Sequence, residues 1–162
     1  MTPTARHLAA QLGDTLRQRQ QQVATAESCT GGLIAGTLTA IPGSSDWFGF
    51  GWVSYANDAK QQMLGVSADT LARHGAVSAD TVREMAAGAR LHSHADWTIA
   101  VSGIAGPGGG SRDKPVGLVW FGLAGPHGVD TFSRVFAGGR DQVREQTVEA
   151  ALQHLLLALG QD

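Results

Sequence analysis

Leucines at positions 8, 12 and 16 recur every four residues in a run otherwise dominated by Gln, Arg, Thr and Ala, the spacing that lines one face of an α-helix. The pattern predicts an amphipathic surface helix over residues 4–20. Residues 23–26 then predict a short strand. A second helix follows through Leu33, Ile34, Thr37 and Leu38, with Ser28 or Thr30 as its cap, and stops before Ile41-Pro42-Gly43. Residues 47–55 are aromatic and β-branched and predict another strand, with Gly49 and Gly51 fitting a bend or bulge.

Farther along, Asn57 is placed to cap a helix reaching about residue 64, and Ser78 to cap a longer one over residues 79–92, followed by a strand at 97–102. Residues 118–124 and 129–136 predict adjacent strands joined by Gly125-Pro126-His127-Gly128, a hairpin signal. A last helix is expected over residues 140–159, with Val148, Leu152, Leu155 and Leu159 facing the sheet. Strands alternating with helices predict a single α/β domain over residues 1–162, and the hairpin makes its sheet mixed, mostly parallel.

Composition supports that picture and narrows the function. A chain of 162 residues buries roughly 70% of its unfolded surface, enough for a core without metals or disulfides. No apolar run approaches the roughly 20 residues that span a bilayer, so no membrane partner is expected. The start of the chain lacks the features of a secretory signal, and the single cysteine, Cys29, cannot form an internal disulfide; a cytoplasmic location is expected. With a net charge of -2 there is no basic footprint, and nucleic acid is not an expected partner. The 22 glycines cluster at 31–32, 43–51, 103–110 and 138–139, between apolar segments, where backbone must come close to something. A small-molecule site is the implication.

The densest chemistry is Ala26-Glu27-Ser28-Cys29-Thr30-Gly31-Gly32, at a strand end that opens into a helix. Unpaired N–H groups there favour an anion or a developing oxyanion. Ser28 is a helix cap or a nucleophile. A nucleophilic serine needs a proton acceptor, and the segment Tyr55-Ala56-Asn57-Asp58-Ala59-Lys60 offers one in Lys60. Lysine serves only when neutral. A lysine free in water, with a pKa of about 10.4, is about 0.1% neutral near pH 7.4, and lowering that pKa by about 3 units takes roughly 4 kcal/mol, which burial alone can supply. Small and apolar neighbours at Ala56, Ala59, Met63 and Leu64 favour burial of Lys60, against the ordinary fate of a solvated lysine. Tyr55 is a core aromatic or a group that orients the base, Asn57 a helix cap or a substrate contact, and Cys29 a small core residue or a competing nucleophile.

Taken together, Ala-Glu-Ser-Cys-Thr-Gly-Gly and Tyr-x-Asn-x-x-Lys resemble the nicotinamide-nucleotide amidase family, related to the C-terminal domain of competence/damage-inducible CinA proteins. The resemblance continues through Leu64-Gly65-Val66, His74-Gly75-Ala76-Val77-Ser78, Ser102-Gly103-Ile104-Ala105-Gly106-Pro107 and Lys114-Pro115-Val116-Gly117, nearly the whole chain. It implies a three-layer α/β/α fold, no metal and no cofactor, and hydrolysis of nicotinamide mononucleotide (NMN) to nicotinic acid mononucleotide and ammonia, with Ser28 as nucleophile, Lys60 as base and Tyr55 assisting. The alternative is a non-catalytic nucleotide-binding module of the CinA type.

NMN carries a phosphate, a ribose and a cationic ring. Backbone and hydroxyl donors at Thr30, Gly31 and Gly32 and at Ser102, Gly103 and Gly106 are candidate contacts, with backbone N–H groups near residues 29–31 as the oxyanion hole. Arg140 and Arg144, one helical turn apart, are candidates for its phosphate; Arg144 extends the apolar stripe and either points into a cleft or pairs with a carboxylate. The 103–110 loop lacks G-x-G-x-x-G, Lys114 does not follow a glycine, and His92 and His94 sit at i, i+2, so dinucleotide, P-loop and metal motifs are not supported. The aromatic residues at 47–52 belong to a homo-oligomer interface or to the core.

Overall fold

In the computed structural model, which describes residues 1–161, the Thr2 hydroxyl accepts the Ala5 N–H at 3.0 Å and opens α1 (Pro3–Arg19). Pro3 stands where a helix has no N–H bond to lose. The leucine stripe faces inward, with Leu12 and Leu16 fully buried. Then come β1 (Val23–Glu27), α2 (Leu33–Thr39), β2 (Phe48–Val53), α3 (Asn57–Leu64), α4 (Ala68–His74), α5 (Ala79–Ser93), β3 (Trp97–Gly103), β4 (Leu118–Gly125), β5 (Gly128–Val135) and α6 (Arg140–Gly160).

The sheet order is β2-β1-β3-β4-β5. β1 runs parallel to β2 and β3, and β4 runs antiparallel to β3 and β5. The sheet is therefore mixed, as the hairpin requires, with β4 alone reversed among these five strands. Helices α1, α2 and α6 cover one face, burying Ile34, Leu38, Leu152 and Leu155 against Ile99 and Phe121. On the other face α3, α4 and α5 bury Leu64, Leu71, Val82 and Met85 against Ala26 and Ala100. Each such aliphatic side chain contributes about 1.5–3 kcal/mol by leaving water. The result is the expected three-layer α/β/α domain. No helix among the described residues is long and apolar enough to cross a membrane.

The connections position the site. From β1 the chain moves through α2 to β2 on one side; from β2 it crosses back through α3, α4 and α5 to β3 on the other side of β1. Right-handed crossovers in opposite directions place their helices on opposite faces, and a crevice opens beyond the carboxyl ends of the strands at that reversal. Ser28, Ser54 and Gly103 all stand at those ends.

Three local expectations are corrected. Neither Ser28 nor Thr30 caps α2: Gly32 is its cap residue, with φ 101° and no side-chain cap bond. Asn57 is already helical, and extended Ala56 holds the cap position of α3 without a side-chain bond. Helix α4 was not anticipated; Ser67 caps it, accepting from Asp69 and Thr70 N–H. The aromatic run divides. Trp47 lies wholly in the core, against Gly13 of α1, where an added Cβ would come within 2.6 Å of the indole. Phe50 stacks on Trp52 at 5.7 Å and stays 49% exposed on edge strand β2.

Candidate active site

At the end of β1 the backbone keeps its ladder bonds to both neighbours: Ser28 N–H donates to Val101 O at 3.1 Å and Ser54 N–H to Glu27 O at 2.8 Å. Ser28 therefore leaves the sheet from a fixed point. Gly31 N–H closes a turn on Ser28 O at 3.0 Å. Gly31 and Gly32 have φ of 59° and 101°, the left-handed region where a side chain is strained.

Glu27 is the residue that sequence reasoning missed. It is fully buried, and its carboxylate accepts from Thr30 Oγ1 at 2.5 Å, Ile34 N–H at 2.8 Å and Ala35 N–H at 3.0 Å. It thus does the capping assigned to Ser28 and Thr30, and the positive end of α2 offsets its charge. The signal in the sequence was a carboxylate at the last position of a buried strand, an expensive place unless its oxygens are bonded.

The chain returns to this point from β2. Lys60, on the first turn of α3, is 1% exposed. Its Nζ lies 3.0 Å from Ser28 Oγ, 2.8 Å from Ser54 O and 3.0 Å from Tyr55 O. Burial lowers its pKa from 10.5 to about 8, against a small opposing influence of Cys29. A neutral amine keeps two N–H bonds for the two carbonyls and presents its lone pair to the Ser28 hydroxyl, the arrangement of a general base and its nucleophile. Cys29 takes the other part: it lines the same cleft but is 6% exposed and counts with the core, and burial raises its thiol from 9.0 to about 11. A thiol so raised stays protonated near neutral pH and is a weak nucleophile.

Ser28, Tyr55, Lys60, Ser102, Gly103 and Gly106 line a common cleft of about 310 Å3, and Arg140 completes it. Arg140 donates to Gly106 O at 2.8 Å and to the Tyr55 hydroxyl at 3.3 Å. Tyr55 therefore meets Lys60 through its carbonyl, while its hydroxyl meets Arg140. A larger hollow of about 470 Å3 between α5 and the hairpin is lined by Arg90, Leu91 and His94 but holds no nucleophile with its base. Chemistry rather than size marks the site.

Other candidates lie outside the cleft. Thr30 is buried with its hydroxyl on Glu27, Gly32 lines an apolar hollow with Leu33 and Val148, and Asn57 is exposed at the start of α3. Gly31 N–H is taken by Ser28 O, which removes it from the expected oxyanion donors, whereas Cys29 and Thr30 N–H meet no backbone acceptor among the described residues. Arg144 neither enters the cleft nor pairs with a carboxylate among the described residues. It donates instead to Cys29 O and Thr30 O, both at 3.2 Å. No group of three His, Cys, Asp or Glu side chains suited to a metal ion is gathered among the described residues.

Residues 5–159 match the family model of the CinA C-terminal domain. The chain is 52% identical over 149 residues to the nicotinamide-nucleotide amidohydrolase PncC of Shigella flexneri, covering 91% of this chain and 90% of that protein, with the same figures for its namesake in Escherichia coli K12. A CinA-like protein of Anaeromyxobacter dehalogenans is 50% identical over 144 residues, which is 89% of this chain but 35% of that longer protein. Among solved structures, the competence/damage inducible protein CihA of Agrobacterium tumefaciens superposes with a TM-score of 0.94 at 46% identity, covering 99% of this chain and 98% of that one.

Proposed function

Because this chain belongs to the CinA C-terminal domain family, we propose that it is a nicotinamide-nucleotide amidohydrolase that converts NMN to nicotinic acid mononucleotide and ammonia through Ser28 and Lys60, in the cytoplasmic recycling of pyridine nucleotides. Relatives carrying that name at 52% identity over nine tenths of both chains support the activity. The observation that carries the mechanism is the 3.0 Å contact between Lys60 Nζ and Ser28 Oγ, with Lys60 buried.

In this reading neutral Lys60 takes the Ser28 proton as Oγ bonds to the carboxamide carbon. Charge gathers on the carboxamide oxygen, opposite the N–H of Cys29, which lines the cleft and meets no backbone acceptor among the described residues. Lys60 then passes its proton to the nitrogen, the carbon–nitrogen bond breaks, and ammonia leaves an ester on Ser28. Water attacks that ester while Lys60 takes one of its protons. When the tetrahedral species collapses, the carbon–oxygen bond to Ser28 breaks, Oγ recovers the proton from Lys60, and the carboxylic acid departs. One lysine serves both halves, and water is the only co-substrate. Arg140 and the glycine-rich loop after β3 are suited to the phosphate, with Ser102 and Gly103 lining the same cleft as Ser28.

The test is ammonia release from NMN by the wild type, Ser28→Ala and Cys29→Ala, with the product identified by chromatography. Turnover by the wild type and Cys29→Ala, with none from Ser28→Ala, is expected. No release from folded wild type would overturn the assignment.

A further inference from the structure

Most buried hydroxyls in this domain are spent on backbone: Ser93 donates to Ala89 O, Thr98 to Ala86 O and Thr147 to Val143 O, each at 2.7 Å. Thr25 and Ser102 make no hydrogen bond among the described residues. The Thr25 hydroxyl is sealed inside the sheet. Ser102, although 1% exposed, lines the cleft with Ser28 and Lys60. A buried polar group without a partner is rare in a folded domain, and one that opens on a cleft meets whatever the cleft binds. The sheet sets its place. Strands β1 and β3 pair with Glu27 opposite Val101, and the bond from Ser28 N–H to Val101 O carries that register one residue past the end of β1. Ser28 therefore stands opposite Ser102, their backbones about 4.8 Å apart. Ala26 and Ala100, two positions earlier on the two strands, pack with Val82 and Met85 of α5, and alternation turns Ser28 and Ser102 to that same face. Lys60 is held by carbonyls just past β2. With strand order β2-β1-β3, Lys60 flanks Ser28 on one side and Ser102 flanks it on the other.

We propose that Ser102 is a further catalytic residue, whose hydroxyl donates to the carboxamide oxygen as that oxygen becomes an oxyanion, beside the N–H of Cys29. This rests on the Ser28–Lys60 reading above. Lys60 is the acid that protonates the departing nitrogen, so the carboxamide nitrogen lies on the Lys60 flank of Ser28. The oxygen of the same planar group then points away from Lys60, toward the Ser102 flank. A serine hydroxyl carries one proton and rotates to aim it. Ser102 gives up no other bond in doing so. It keeps its proton throughout. Its hydrogen bond strengthens as the oxygen gains charge, and an interaction stronger in the transition state than in the ground state is one that raises kcat.

A hydroxyl acting this way moves kcat, whereas a phosphate contact moves KM. The decisive comparison is wild type, Ser102→Ala and Ser102→Thr with NMN as substrate. Losing one oxyanion donor lowers kcat by about 100- to 1,000-fold, and that loss is expected in Ser102→Ala, with KM within about threefold. Ser102→Thr keeps the hydroxyl, suits a strand and recovers most of the loss. A readout without turnover uses pyridine-3-boronic acid. Lys60 takes the Ser28 proton as Oγ bonds to boron, leaving a tetrahedral borate anion whose oxygen stands where the oxyanion would. The four-coordinate boron resonance is expected with the wild type and not with Ser28→Ala. Ser102→Ala is expected to weaken this adduct about tenfold or more, as loss of a hydrogen bond to a charged group requires. A rise in KM with kcat retained would make Ser102 a ground-state contact and overturn the proposal, as would a folded Ser102→Ala protein that holds the boronate as tightly as the wild type. If folded wild type releases no ammonia from NMN, the NMN reading falls, and the boronate affinities still decide whether Ser102 serves the oxyanion.

Discussion

Lys60 Nζ and Ser28 Oγ lie 3.0 Å apart although 32 positions separate them in the chain. The approach depends on burying a lysine whose remaining bonds go to the carbonyls of Ser54 and Tyr55. A pKa of about 8 leaves about 20% of Lys60 neutral at pH 7.4, some two hundredfold more than a free lysine.

That pKa predicts the rate profile. Catalysis needs the neutral amine, so kcat/KM for NMN rises about tenfold per pH unit below 8 and levels off above it. Ammonia release measured from pH 6 to 9.5 checks this; a profile flat from pH 6 upward would remove Lys60 from the role of base.

The same group predicts how stability changes with pH. Between about 8 and 10.5 the unfolded chain holds a proton on Lys60 that the folded chain has released, so stability rises with pH through that window. Below about 8 both states are protonated and the full cost of burying the ammonium is felt, on the order of 3 kcal/mol. Urea unfolding at pH 7.5 and 10 is expected to show this gain in the wild type relative to Lys60→Met, in which the lysine contribution is gone.

Glu27→Gln tests the buried cap. The substitution removes a charge that answers the start of α2 and turns one oxygen, with its bond, into a donor facing donors. A loss of about 1–3 kcal/mol in unfolding free energy is expected, together with a lower kcat, because the turn that follows Ser28 is held to Glu27 through the Thr30 hydroxyl. Equal stability and equal kcat would show that the carboxylate holds nothing in place.

Tyr55→Phe separates the two contacts of Tyr55. Its carbonyl holds Lys60 and survives the change; its hydroxyl, bonded to Arg140 at 3.3 Å, does not. The pH midpoint of kcat/KM is expected to stay near that of the wild type while KM for NMN rises a few fold. A displaced midpoint would instead tie the hydroxyl to the base.

Much of this architecture was legible in the sequence where the signal was local. The leucine stripe of α1, the Ser78 cap of α5 and the Gly-Pro-His-Gly turn between β4 and β5 all stand as expected, because period, cap and turn are properties of neighbouring residues. Helix α4 escaped notice because one buried residue, Leu71, in seven makes no period. The α2 cap was assigned to the wrong side chains because Glu27 reaches it from within a strand, across the turn, and capping patterns count only adjacent positions. Ser28, Lys60 and Tyr55 were singled out through motif and resemblance, and the structure brings the three to one cleft. That Tyr55 serves Lys60 by its carbonyl, and that Arg144 grips backbone rather than ligand, depends on side-chain directions set by tertiary packing.

The pairing of β1 with β2 has one more consequence. Ser28 follows the last residue of β1, and the carbonyls that hold Lys60 belong to residues 54 and 55, just past β2. The distance between Ser28 and Lys60 is thus inherited from the spacing of two neighbouring strands, about 4.8 Å, and β2 is an edge strand with no partner on its far side among the described residues. Edge strands fray before the interior of a sheet opens. Turnover is therefore a gauge of that margin, fading under mild denaturant while the far-ultraviolet circular dichroism of the helices still reports a folded domain.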